Sequence, residues 1–256
     1  MSTVLAALDA TAAASPVLGT AVAIGRRLHL DVRALHVGSP EQAPTAIAAA
    51  AGVPLTIVPG HPASMIIEAC ESSEVMLITL ALHGLPGRHE AGHTALSVAA
   101  QLAKPVLVVP PEEPVRGTVR RILFPLDGTR GVSDGVRSLI ATCQAAAIEV
   151  IAVHVFNAQT VPRFLDGLQD AAVWREEFVA QHCAELGVRL RTAPGPTGPA
   201  LLKIADADDV DVIALGWHQN LAPARAQVVR QTLTQARRPV VLVPLPDPTQ
   251  RSDPER

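Results

Sequence analysis

The chain has no tyrosine, and only four phenylalanines and two tryptophans among its 256 residues. Stacking platforms for nucleic-acid bases are therefore scarce. Charge of one sign is also lacking. Twenty-one Lys+Arg stand against 24 Asp+Glu, for a formal net charge of -3, without the basic excess that a polyanion binder needs. The three cysteines, Cys70, Cys143 and Cys183, are far apart and form no CxxC pair. That excludes a disulfide framework or a cysteine zinc motif and suits a reducing cytoplasm. The N-terminal run has no basic segment and is interrupted by Asp9, unlike a secretory leader. The longest uncharged stretch, running up to Glu68, is broken by Pro54, Pro59 and Pro62, whereas a membrane span needs about 20 continuous apolar, helix-compatible residues. These absences predict a cytoplasmic protein that binds neither nucleic acid nor membrane.

What is present is a repeat. Residues 4–9 read VLAALD and residues 122–127 read ILFPLD; residues 32–37 read VRALHV and residues 150–155 read VIAVHV, both pairs 118 positions apart. Residues 104–110, KPVLVVP, return as residues 238–244, RPVVLVP, at an offset of 134. Pro59-Gly60 matches Pro194-Gly195, and VMLIT from Val75 matches VDVIA from Val210. Five short, β-branched, nearly continuous apolar runs thus recur in one order, the pattern of parallel strands buried on both faces.

Helical patterns alternate with these runs. Ser15-Pro16 reads as an N-cap and first-turn pair before Val17, Leu18 and Ile24. Ser133 and Asp134 open a second such pattern, and Pro62 and Pro199 open two more. Strand–helix alternation predicts parallel sheets with crossover helices. The expected fold class is α/β: two five-stranded parallel-sheet domains in tandem, of the flavodoxin-like or adenine nucleotide alpha hydrolase-like type. The expected boundaries are residues 1–112 and 118–246, with the Pro-rich, charged segment around Pro110 to Gly117 between them. The tail, residues 247–256, is expected to be disordered. The halves differ after the second strand. Twenty-two positions separate Val37 from Pro59 but 39 separate Val155 from Pro194, so the second half has room for an extra amphipathic helix with Trp174, Phe178 and Cys183.

The five runs in this order, the Asp ending the first, the Pro-Gly turn before the third helix and the closing PVLVVP and PVVLVP runs resemble the universal stress protein family in both halves. In nucleotide-binding members the resemblance implies a G-x2-G-x9-G-[ST] loop after strand four. It also implies an Asp after strand one and main chain after strand two against adenosine. Glycines let backbone N–H groups approach phosphates, and the following helix N-terminus favours negative charge. In the first half Asp9 fits the acid and Val37-Gly38 the strand-two turn. Gly84 fits the second glycine of G-x2-G, Ala81 standing at the first, and Gly92 fits the late glycine after an interval of seven residues rather than nine. Gly84 with Gly87 is an alternative match with an interval of four. His93 stands for the hydroxyl residue, with Thr94 one place later; a histidine there gains positive charge as pH falls toward 6.

In the second half Asp127-Gly128 fits the acid and its turn, and Gly216 fits the first glycine. Gln219 stands at the second glycine and Ala226-Gln227 at Gly-[Ser/Thr]. Both sites depart from the family pattern, the second in more of its phosphate positions. The resemblance therefore implies ATP, if any cofactor, in the first domain.

Other constellations have plainer readings. Gly131-Val132-Ser133-Asp134-Gly135 is formally G-x-S-x-G, but an elbow must follow its strand directly, and here residues 127–130 intervene. Ser133 therefore reads as a helix cap. His83, His89 and His93 crowd one loop without a second ligand cluster and read as loop histidines. His36 and His154, at matching strand positions, read as structural groups hydrogen-bonded at a strand end. Trp217, beside Gly216, is expected to fill the second cleft near Asp127. Asp206, Asp208 and Asp209 read as a solvated helix end.

The function expected is non-enzymatic: a stress-response regulatory or binding protein with degenerate nucleotide sites. One alternative is an ATP sensor working through the first domain, and another is a protein-interaction module with no ligand. The expected partner is an unidentified protein. The two halves are expected to pair within the chain as a pseudo-dimer through their closing strands, and two chains to pair as a homodimer.

Overall fold

The structure, a computed structural model, describes residues 2–82, 93–111, 117–126, 130–156, 173, 176–179, 188–220 and 226–245; of residues 93 and 130–136 it describes the backbone. The first half contributes β1 (Thr3–Leu8), β2 (Asp31–Val37), β3 (Leu55–Val58), β4 (Val75–Ala81) and β5 (Val106–Val109). The second contributes β6 (Arg121–Pro125), β7 (Glu149–Phe156), β8 (Arg189–Pro194), β9 (Val212–Trp217) and β10 (Val240–Pro244). The helices are α1 (Ala14–Leu28), α2 (Thr45–Ala50), α3 (Pro62–Cys70), α4 (His93–Gln101), α5 (Arg130–Ala145), α6 (Thr197–Ala207) and α7 (Gln227–Gln235). Every apolar run of the repeat is a strand, so the α/β class with two five-stranded units in tandem holds.

The ten strands form one sheet in the order β3-β2-β1-β4-β5-β10-β9-β6-β7-β8. Within each half all pairs are parallel. The halves meet antiparallel, with Val108 opposite Val240, Leu107 opposite Val241 and Val106 opposite Leu242. Leu107 and Val241 are equivalent positions of the repeat. Each closing strand therefore pairs with its own counterpart about that residue, the self-complementary geometry of a two-fold contact. The pairing removes both inner edges. Of the outer edges, β3 is four residues long between Pro54 and Pro59, and β8 carries Arg189 and Arg191. Shortness, proline and charge all discourage further strand addition.

Alternation along the strands builds two core layers. One holds Val4, Ala6, Leu18 and Ile24 with Phe124, Ile140, Cys143 and Phe178. The other holds Leu5, Ile66, Cys70 and Ile78 with Leu123, Ile213, Trp217 and Leu233. Each layer draws on both halves, so apolar burial is continuous across the junction. A polar contact crosses it as well. Arg27, in the last turn of α1, donates to the carbonyl of Ala147 just beyond α5, where helix carbonyls lack intrahelical partners.

Helix starts depart from the sequence reading in three places. α1 begins at Ala14, before Ser15, because the turn ahead of it is held from further upstream: Thr11 donates to Asp9, and Ala13 N–H donates to Thr11 Oγ1. α5 begins at Arg130, so Ser133 lies inside the helix rather than at its cap. α6 begins at Thr197, with Pro199 in its first turn, where a missing N–H costs little. α3 opens on Pro62, as the pattern predicts. In the insertion of the second half, residues 176–179 are helical and Phe178 is buried in the core, while Trp174 and Cys183 lie outside the described residues.

Candidate functional site

In each half the chain builds outward from its first strand and then crosses back to the other side of it. This leaves a switch point at the carboxyl ends of β1 and β4, and another at those of β6 and β9. Loops diverge there, and ligands of open α/β sheets bind in the gap.

At the first switch point Asp9 follows β1 directly. Its Oδ1 accepts the Thr11 N–H at 2.8 Å and the Thr11 hydroxyl at 2.6 Å. The acid thus shapes the turn into α1 while remaining partly exposed. Beside it, His36 is 3% exposed, and its Nδ1–H donates to Leu8 O at 2.9 Å. That bond ties the end of β2 to the end of β1. The other ring nitrogen, Nε2, is buried without a hydrogen-bond partner among the described residues. With Nδ1 as donor it presents a lone pair in the neutral ring. Val37 closes β2, and Gly38 follows with φ 156°, its N–H donating to Val58 O at 3.0 Å. A Cβ on Gly38 would sit 2.8 Å from His36 Nε2. Glycine is needed there to let backbone lie over the imidazole. On the facing side, Thr94 is exposed in the first turn of α4, which opens at His93. The structure therefore brings Asp9 and Val37 together at the ends of adjacent strands. Gly84, Gly92 and the His93 side chain lie outside the described residues.

The second switch point repeats the scaffold with different fittings. His154 is 4% exposed and its Nδ1–H donates to Leu126 O at 2.8 Å, the same bond 118 positions on. Its ring packs at 4.9 Å from Phe156 and 4.6 Å from Phe178, measured between centroids. The two histidines are structural, as expected from their matching positions. Asp127 and Gly128 lie outside the described residues.

The positions that match the phosphate loop, at the end of β9 and beyond it, are taken up by packing and by a contact with the first half. A Cβ on Gly216 would meet Leu245 Cδ1 at 2.8 Å, so this glycine makes room for a buried leucine. The Trp217 side chain is 5% exposed and lies in the core layer with Leu201, Val229 and Leu233. It is core, while its expected neighbour Asp127 is not described. Gln219, at the second glycine position, keeps a positive φ of 55° but sends its amide to the first half, donating to Ala99 O and Leu102 O. Ala226, at the late glycine position, is 1% exposed.

Sequence reasoning missed a polar assembly at the opposite, amino end of the second half's strands. Asp208, 14% exposed, lies 3.2 Å from Arg191 and 3.4 Å from Arg189. Arg238 reaches Asp206 and Asp209 and donates to Val210 O. Asp211, 2% exposed, accepts the N–H groups of Arg120 at 2.7 Å and Arg121 at 3.0 Å. The three aspartates 206, 208 and 209 are thus bridged to arginines rather than simply solvated. The pairing was illegible because each arginine comes from a distant segment. It closes the bottom of the sheet, far from the clefts.

Burial pushes the thiols of Cys70 and Cys143 up to about 11, making them inert rather than nucleophilic. Among the described residues no group of three or more His, Cys, Asp or Glu could hold a metal ion, and no helix is long and apolar enough to cross a membrane. His83 and His89 lie outside those residues.

Comparison with known proteins agrees with this architecture. A universal stress protein from Archaeoglobus fulgidus superposes with a TM-score of 0.68 at 15% identity, over 96% of this chain and 97% of that one. A functionally unknown protein from Pseudomonas aeruginosa superposes with a TM-score of 0.69 at 15% identity, over 95% of this chain and 92% of that one. At such identity the likeness is one of fold. No curated protein sequence matches. The sequence profile of the universal stress protein family matches residues 118–244. The second half of the chain, residues 118–244, belongs to the universal stress protein family by its sequence pattern, and the whole length takes the fold of its structural neighbours.

Proposed function

We propose that this protein is a non-catalytic regulatory or binding protein of the universal stress type, whose second cleft does not take nucleotide. The observation that carries this reading is the fate of the positions that match the phosphate loop, at the end of β9 and beyond it. Gly216 accommodates Leu245, Gln219 is bonded to the first half and Ala226 is buried. A phosphate needs backbone N–H groups brought close by small, unencumbered residues, and these three serve packing instead. Domain boundaries at residues 1–112 and 118–246 go with this reading, as do a cytoplasmic location and action through an unidentified protein partner. The antiparallel β5–β10 contact supports a further part of it: one chain stands in for a homodimer.

A second reading, ATP binding in the first cleft, is favoured by one specific observation. Asp9 and the Val37-Gly38 turn lie side by side at the ends of β1 and β2, and the His36–Leu8 bond holds them there. Thr94 is exposed at the start of α4. In this reading Asp9 would take the ribose hydroxyls, the main chain at Val37 the adenine, and the first turn of α4 with Gly92, His93 and Thr94 the phosphates. Isothermal titration of the full chain with ATP, beside the Asp9→Ala and Gly216→Ala variants and a phosphate-release assay, tests both readings. Binding lost in Asp9→Ala and kept in Gly216→Ala supports the second. No binding leaves the first standing alone. Steady phosphate release in every variant overturns the non-catalytic reading.

A further inference from the structure

Gln219 combines two features that are seldom found together. Its backbone is left-handed, with φ 55°, a conformation that glycine adopts freely and that a residue with a Cβ adopts at a cost. Its side chain crosses to the other half of the molecule, where Nε2 donates to Ala99 O at 2.9 Å and to Leu102 O at 2.7 Å. Those carbonyls belong to the last turn of α4 and the residue beyond it, where helix acceptors have run out of intrahelical N–H partners. One amide nitrogen carries two hydrogens, so a single glutamine can satisfy both. The equivalent position in the first half, 135 residues earlier, is Gly84. Glycine offers no side chain for the reciprocal bond. The costly backbone is retained where the side chain has something to hold.

We propose that Gln219 is a positioning residue acting between the halves. Through it the loop leaving β9 fixes the C-terminal end of α4, so the second half sets the placement of the helix that opens the first cleft. The role of that helix in a cleft rests on the second reading above, but the clasp itself does not. α4 is nine residues long, so holding one end of so short a helix constrains the other.

Hydrogen–deuterium exchange on the full chain, without nucleotide, tests the clasp in Gln219→Gly, Gln219→Met and Gln219→Lys. The glycine variant relieves the backbone and removes the donor. The methionine variant keeps length and removes the donor, and lysine restores a donor aimed at helix carbonyls. The amides of α4 should exchange about five- to tenfold faster in the first two, the scale of losing both hydrogen bonds at the low end of their net worth. They should return toward the wild-type rate in Gln219→Lys, with β1 and β4 unchanged throughout. Wild-type exchange of α4 in both the glycine and methionine variants would overturn the proposal. So would lysine behaving as methionine does, because the donor would then not be what holds the helix. A chain that binds no ATP would still show the expected pattern, which separates failure of the cleft reading from failure of the clasp.

Discussion

Buried groups of the second half show how single residues hold the scaffold. Asp211 is 2% exposed and accepts two backbone N–H groups from the start of β6. Removing the carboxylate leaves both donors without their partner at a part-buried site. Asp211→Ala should therefore cost about 2–4 kcal/mol and Asp211→Asn clearly less, measured as the shift of a urea unfolding curve. The thiols give a prediction of opposite sign to the usual carboxylate case. Cys70 and Cys143 are raised by burial from an ordinary value near 9 to about 11. The folded chain thus holds these protons after the unfolded chain has released them. Stability should be unaffected by them below pH 9 and should fall as pH rises from 9 toward 11, by up to about 2–3 kcal/mol per thiol. Cys143→Ala should flatten that fall by its share. At this scale the roles of His36 and His154 were legible, because equal spacing in two copies points to the fold. The sequence hid Asp211, whose counterpart in the other half is Met76, so the repeat offered no hint of a buried carboxylate.

The strands were legible as elements because their residues are buried on both faces and read as continuous apolar runs. Helix starts were less so. Ser15 and Ser133 have the right chemistry for caps, yet the helices begin upstream of both, and for the first the turn after β1 is fixed by Asp9 and Thr11. Local propensity was overridden by how the loop leaves the strand. Gly216 makes the same point for the candidate site. The glycine matched a nucleotide motif in sequence, and the structure gives it a packing reason instead. Gly216→Ala should destabilise by about 1–3 kcal/mol through overpacking against Leu245. In a Leu245→Ala background the same substitution should cost almost nothing. A thermal-denaturation double-mutant cycle reads the coupling, and equal cost in both backgrounds would return Gly216 to an unexplained motif residue.

At the scale of the molecule, the repeat and its closing strands led to an expectation of two like units meeting through those strands, but not of both core layers running across the junction. That follows from β5 and β10, whose apolar sequences leave edges that each unit covers with the other. With Arg27 and Gln219 capping helices across the junction, the whole chain should unfold as one cooperative unit. Calorimetry should show a single transition whose calorimetric and van't Hoff enthalpies agree, and two resolved transitions would mean that the halves are only loosely joined. On the proposed reading the two clefts also differ in function. At the second, Gly216 makes room for Leu245, Ala226 is buried and Gln219 serves the contact between halves, while the first keeps Asp9 and Val37 at adjacent strand ends. The most direct test of that asymmetry is the stoichiometry of ATP binding to the full chain by isothermal titration. The account predicts no more than one equivalent per chain, abolished in Asp9→Ala and unchanged in Gly216→Ala. Two equivalents per chain, or binding that survives Asp9→Ala and is lost in Gly216→Ala, would contradict it.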